Sequence, residues 1–140
     1  MCGIAGAFGL DDPDAERCEA ALRVLSRRGP DGGGTHRARL RGVSVTLLHR
    51  RLRIIDLDER ADQPFSGAGC VLVFNGAIYN YVELRAELEV LGHRFVTTSD
   101  TEVIVHAYRA WGERCVERFE GMWAFALLDR KRDHFVLSRD

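Results

Sequence analysis

The sequence lacks paired cysteines, long apolar runs and any excess of charge, and each absence removes a class of protein. Its four cysteines, Cys2, Cys18, Cys70 and Cys115, are far apart and form no CxxC pair. Neither a disulfide framework nor a structural metal site is therefore indicated, and no metal is expected. No apolar run approaches the roughly 20 residues of a membrane-spanning helix. The short apolar start has no basic leader and runs directly into Asp11, Asp12 and Asp14, unlike a secretory signal. Formal net charge is −1, which gives nucleic acid or an anionic membrane no bulk field to follow. Repeats, low-complexity tracts and linkers are absent as well. The chain is expected to be cytoplasmic.

What is present is a globular composition, 46% apolar and 29% charged over 140 residues, enough for one domain with its own core. Cys2 to Phe8 reads as a strand that ends at Gly9. Asp12 followed by Pro13 is a helix start, and Cys18, Leu22 and Leu25 stripe a helix to about Ser26. Arg27 to Gly34 reads as a turn packed near the first strand; it has no Walker-type Lys-Ser/Thr for phosphate. Val43 to Leu48 alternates as a half-buried strand, and Asp58 to Gly69 reads as loop. Cys70 to Phe74 is a continuous apolar run, a strand buried on both faces and stopped by a tight turn at Asn75-Gly76. A helix from Tyr81 to Gly92 has Asn80 and Glu83 as cap residues and Leu84, Leu88 and Leu91 as its stripe. His93 to Thr97 is a short strand. Ser99 and Glu102 form a capping box for a helix stopped by Gly112. A short helix over Arg114–Phe119 leads to a hairpin, Met122–Leu128 with His134–Ser138. The class is α+β in layers.

Five residues carry chemistry in this reading. Removal of Met1 would leave Cys2 with a thiol and a free α-amine. An amine with a reference pKa of about 7.7–8.0 can take the thiol proton near neutral pH. The plain alternative is a small apolar residue opening a buried strand. Asn75 and Gly76 form a polar pair delivered by a core strand, or an ordinary turn. Arg51 is a guanidinium able to clamp an anion, and Arg50, next along the strand, should point the other way. Asp100, in the first turn of a helix, suits the helix dipole and would also serve a cation. No spacing rule brings the five together.

The blocks MCGIAGAFG, RRGPDGGG, HRRLRIIDL, FNGAIYNYVELRAEL, TSDTEVI and RFEGMWAFALLD resemble, in order and spacing, the glutaminase domain of class II glutamine amidotransferases. Within that class they look most like glutamine-hydrolysing asparagine synthetases. The resemblance covers residues 1–140. It implies the N-terminal-nucleophile hydrolase fold, an αββα sandwich of two sheets between helical layers, continuing some dozens of residues past Asp140. It implies that Cys2 attacks the glutamine amide, with the Asn75 side chain and Gly76 N–H as oxyanion hole. Arg51 would hold the α-carboxylate and Asp100 the α-ammonium. Glutaminase chemistry of this kind needs no cofactor. The ammonia would pass to a C-terminal synthetase domain using ATP and Mg to amidate a carboxylate, aspartate first among candidates, and a homodimer would be in keeping. Another carboxylate, such as a peptide-like osmolyte, and a non-catalytic glutamine-sensing relative stand as alternatives. One position departs: Ala77 replaces a glutamate that usually helps hold the substrate's amino end.

Overall fold

Strand alternation builds two sheets, in a computed structural model that describes residues 2–140. In the first sheet β3 (Val43–Arg51) lies between β1 (Gly3–Gly9) and β2 (Gly32–Leu40), both antiparallel to it. The second sheet runs β4 (Phe65–Gly67), β5 (Cys70–Ile78), β6 (Gly121–Asp129), β7 (His134–Arg139), antiparallel throughout. Val45 and Leu47 of β3 meet Val71 and Val73 of β5 and Ala126 and Leu128 of β6 to form the core between the sheets. The alternate residues of β5, Leu72, Phe74 and Ile78, turn outward. They are covered by α2 (Tyr81–Val90) through Leu84 and Leu88 and by α3 (Asp100–Trp111) through Val103, Ile104 and Ala107. Helix α1 (Ala15–Leu25) covers the other sheet, with Leu25 against Gly3. The layers are therefore helix, sheet, sheet, helices. Each fully buried aliphatic side chain contributes about 1.5–3 kcal/mol, and every residue of α3 from Asp100 to Tyr108 is buried. Packing, more than propensity, holds that helix in place. No helix among the described residues is long and apolar enough to cross a membrane.

Several local expectations are corrected, each for a physical reason. Asp14, not Asp12, caps α1, accepting from Arg17 N–H at 2.7 Å. Asp12 is occupied as the acceptor of Ser44 Oγ–H. The glycine run is not all turn, because β2 starts at Gly32; only glycine fits at position 33, where a Cβ would run into the His49 carbonyl. The turn before it does lie beside β1, with Arg28 Nε–H donating to the Cys2 carbonyl at 3.0 Å. The segment read as loop contains β4 and a 3-10 turn, Glu59–Ala61. Asn75-Gly76 is not a turn: β5 runs through it to Ile78. The glycine answers a close approach of β6, since a Cβ there would sit 2.8 Å from Trp123 Cα. His93–Thr97 forms no strand, and Leu91 is exposed. Asn80 stands at the start of α2 without a side-chain cap bond, its amide bonding instead to Arg118 O at 2.9 Å and Glu120 N at 3.0 Å. The short helix after Gly112 is 3-10, Gly112–Arg118.

Candidate active site

Where β5 ends, the sandwich opens into a cavity of about 200 Å³ lined by Cys2, Arg51, Gly76 and Asp100 among others. Four of the five residues singled out in the sequence thus share one wall-to-wall space, the size of a free amino acid. A larger cavity of about 350 Å³ lies between the sheets beside Ile4, Phe8 and Leu137. It is nearly all apolar and gathers no reactive groups, so volume alone does not choose the site.

The open edge of β5 explains the geometry. On this edge Leu72 pairs with Phe65 of β4, which has only three residues. Beyond β4 the strand partner is replaced by side chains. Gln63 Oε1 accepts from Phe74 N–H at 2.6 Å, and His49 Nε2 lies 3.2 Å from the Phe74 carbonyl. Four residues further on the same edge, Ile78 N–H donates to Asp100 Oδ2 at 3.1 Å. By strand alternation the N–H between them, that of Gly76, points the same way, into the cavity that Gly76 lines. Among the described residues it has no side-chain acceptor. A strand edge otherwise filled presents one open donor beside the Cys2 thiol's cavity.

Asn75 points the opposite way from its neighbours, on the face of β5 that carries Val71 and Val73. It does not line the cavity. Its Oδ1 is buried without a hydrogen-bond partner among the described residues.

Cys2 is half-buried and accepts from Leu52 N–H at 3.4 Å, while Arg28 grips its carbonyl. The other thiols are buried. Burial pushes Cys70 up to about 11 and Cys115 up to about 12, which keeps both as inert thiols at neutral pH. Cys2 alone combines access with a cavity.

Arg51 and Arg50 do face opposite sides of β3. Arg50 Nε–H donates to Gly29 O at 3.0 Å, whereas Arg51 turns into the cavity and is 4% exposed. The Arg51 fork is engaged. Its Nη1 donates to Asp58 O at 2.9 Å and Asp62 at 2.6 Å, and its Nη2 donates to Ile55 O at 3.0 Å and to Asp56 O. It therefore braces the 55–62 segment, whose Ile55 lines the cavity, and leaves Nε–H as its remaining donor. Asp62 also takes Arg53 at 2.9 Å. Burial pushes the Asp62 carboxyl up, but hydrogen bonds from Arg53 and Arg51 outweigh it and hold it below its ordinary value. Asp56, in the left-handed region at φ +51°, accepts from Thr98 N–H at 2.7 Å and so ties this wall to the one carrying Asp100.

Asp100 is 5% exposed. Burial raises its pKa, and the hydrogen bonds from Ile78, Thr101 and Ser99 only partly offset it. No arginine or lysine pairs with it among the described residues. Ser99 caps α3 by accepting from Thr101 N–H at 3.1 Å. Glu102, expected to close a capping box, instead accepts from Val96 N–H at 3.0 Å and Thr97 N–H at 2.7 Å, pinning the segment that leads to Asp100. His49, which burial brings down to about 4, is a neutral imidazole at physiological pH.

Gln63 and His49 are the site's residues that sequence reading missed. Gln63 falls in an aperiodic stretch with no local signal. His49 sits in a strand where its alternation matches Val45 and Leu47, and nothing local says that its ring replaces a strand partner.

The model of the glutamine amidotransferase domain family matches residues 1–140. The chain is 37% identical over 150 residues to asparagine synthetase (glutamine-hydrolyzing) 3 of Bacillus subtilis strain 168, covering 100% of this chain and 23% of that protein. It is 39% identical over 145 residues to asparagine synthetase (glutamine-hydrolyzing) 2 of Oryza sativa subsp. japonica, again covering 100% of this chain and 23% of the other. The chain thus spans about a quarter of the length of these curated relatives. A glutamine phosphoribosylpyrophosphate amidotransferase from B. subtilis, solved with ADP and GMP, superposes with a TM-score of 0.77 at 18% identity, over 100% of this chain and 37% of that one. That likeness concerns the fold, which is the N-terminal-nucleophile hydrolase sandwich.

Proposed function

Because the chain belongs to the glutamine amidotransferase domain family, matched over residues 1–140, we propose that its cavity hydrolyses the side-chain amide of glutamine. The observation that carries this is the β5 edge, filled on both sides of Gly76 and open at Gly76, facing the cavity shared by Cys2 and Asp100. After Met1 is removed, the Cys2 thiol passes its proton to its own α-amine and Sγ attacks the amide carbon. The developing oxyanion takes the Gly76 N–H as its donor, and the Asn75 amide joins as a second only by turning from the opposite face of β5 toward the cavity. The protonated amine returns the proton to the leaving nitrogen, ammonia departs, and a glutamyl thioester remains. Water, deprotonated by the amine, attacks the thioester, and the thiolate leaves to give glutamate. The sum is glutamine plus water to glutamate plus ammonia.

The substrate's ammonium neutralises Asp100, whose burial otherwise lacks compensation. Its carboxylate lies toward Arg51, attracted by a guanidinium whose fork is already committed to the cavity wall. The ammonia then serves a separate synthetase domain, where ATP and Mg activate the acceptor carboxylate; none of the residues described here is assigned to hold them. The names of the relatives favour aspartate as acceptor and asparagine as product.

Glutamate release tests the reading. Cys2→Ala is expected to lower kcat by at least about 1000-fold with Tm unchanged. An N-terminal extension that blocks the Cys2 amine, verified by intact mass, is expected to do the same. Full activity with that amine blocked would sink the mechanism.

A further inference from the structure

We propose that Gln63 is a positioning residue that sets the oxyanion donors of β5 against Asp100 on α3, an inference that rests on the function proposed above. Gln63 is 5% exposed, and its amide is used at both ends. Oε1 accepts from Phe74 N–H at 2.6 Å, and Nε2 donates to Thr101 Oγ1 at 3.3 Å. Phe74 immediately precedes Asn75, and Thr101 immediately follows Asp100. One side chain therefore bridges the strand that offers the oxyanion hole and the helix turn that offers the ammonium site.

A purely structural role would need only the first bond. Where β4 stops, the Phe74 N–H would be buried without a partner, and any acceptor would satisfy it. The second bond is what couples the two elements. The other polar link between them is Asp100 Oδ2 to Ile78 N–H at 3.1 Å. That link uses the carboxylate a substrate ammonium would claim. Gln63 is the link that substrate leaves alone, so it holds the spacing of oxyanion donor and ammonium site in the free and occupied protein alike. Glutamine spans that spacing, and a small misplacement acts on the transition state, where the oxyanion forms, more than on ground-state binding.

The second bond can be cut without touching the first. Thr101→Val keeps shape and removes the acceptor, whereas Thr101→Ser keeps the hydroxyl. On the full chain with Met1 removed, Thr101→Val is expected to lower glutaminase kcat/KM about 10-fold to 100-fold, mostly in kcat. Thr101→Ser should stay within about threefold, because it restores the tie. Gln63→Met, which also strands the Phe74 N–H, should lose at least as much kcat/KM as Thr101→Val, and adding Thr101→Val to it should change little, because the tie is already cut. Equal activity of the Val and Ser variants overturns the proposal. So does additivity in the double variant, which would mean that Thr101 acts on substrate directly. A loss in Tm alone, with kcat/KM intact, overturns it too. If Gln63→Met does not fold, the Val–Ser comparison decides by itself. A wild-type chain that releases no glutamate overturns the proposed function and this inference together. An active wild type with unaffected Thr101→Val overturns this inference alone.

Discussion

Two buried aspartates stand at opposite ends of the β5 strand, and they are matched differently. Asp129, across the ladder from Cys70, is fully buried. Arg109 grips it with both nitrogens, at 2.6 and 2.8 Å, while Lys131 N–H adds a bond at 2.9 Å. Burial would raise its pKa, but these donors outweigh it and hold the carboxyl below its ordinary value. Asp100, at the Ile78 end, has backbone N–H and hydroxyl neighbours and no cation, and its pKa is raised by burial. The same side chain at similar depth is complete in one place and short of a positive charge in the other. A complete ion pair reads as structure, whereas an incomplete one in a cavity reads as a binding group.

Replacing each aspartate by its neutral isostere should separate the two roles. Asp100→Asn is expected to raise KM for glutamine by about 100-fold to 1000-fold, since it leaves the substrate's ammonium uncompensated in a buried site. Its Tm should hold or rise, because an unpaired buried charge has gone. Steady-state glutamate release and a melting curve on one preparation report both. A Tm loss with unchanged KM would reverse the assignment. Asp129→Asn should do the opposite. It strands Arg109 and costs about 3 kcal/mol, a fall in Tm on the order of 10 °C. Well below the melt its kcat/KM should stay within about twofold of wild type.

Acid should sort them next. Asp129, with a lowered folded pKa, contributes stability above the unfolded aspartate value of about 3.9, lost as pH falls through its folded value. Asp100 has the opposite sign. Its raised folded pKa means that the free protein gains from its protonation, while the glutamine binding proposed above would need the charged form. On acidification kcat/KM should fall first, by about 10-fold per pH unit below the Asp100 pKa, with the fold still intact. Parallel pH profiles of kcat/KM and Tm check this; coincident loss of both would erase the distinction.

The smallest expected effect concerns Ala77, which lines the same cavity as Asp100. Ala77→Glu would give the ammonium a second carboxylate, worth on the order of 1 kcal/mol. KM should drop several-fold with kcat nearly constant, because the ammonium does not change charge during amide hydrolysis. A raised KM would show a cavity repacked around alanine, with Asp100 sufficient by itself.

Much of the fold was legible where local periodicity and local caps act. Cys18, Leu22 and Leu25 stripe α1 as expected, Cys70–Phe74 is buried on both faces, and Gly112 stops α3 with φ +67°. The misreadings cluster where a residue's partner is remote in sequence. Gly76 looked like a turn residue because the β6 backbone that demands a glycine lies nearly fifty positions away. Glu102 looked like half of a capping box, yet its carboxylate serves the segment before the helix. The polar, arginine-bearing β2 carried too little apolar alternation to announce itself beside β3.

By itself the sequence determined the class of the fold, the family resemblance and the identity of Cys2, Arg51, Asn75, Gly76 and Asp100 as the residues to watch. These follow from residue type, period and motif order, which are local or linear properties. Only the tertiary structure decided that Arg51 spends its fork on the cavity wall, that Asp129 is paired while Asp100 is not, and that Gln63 joins β5 to α3. Whether a buried donor or charge is satisfied depends on groups brought together from distant parts of the chain, and no reading along the chain computes that sum.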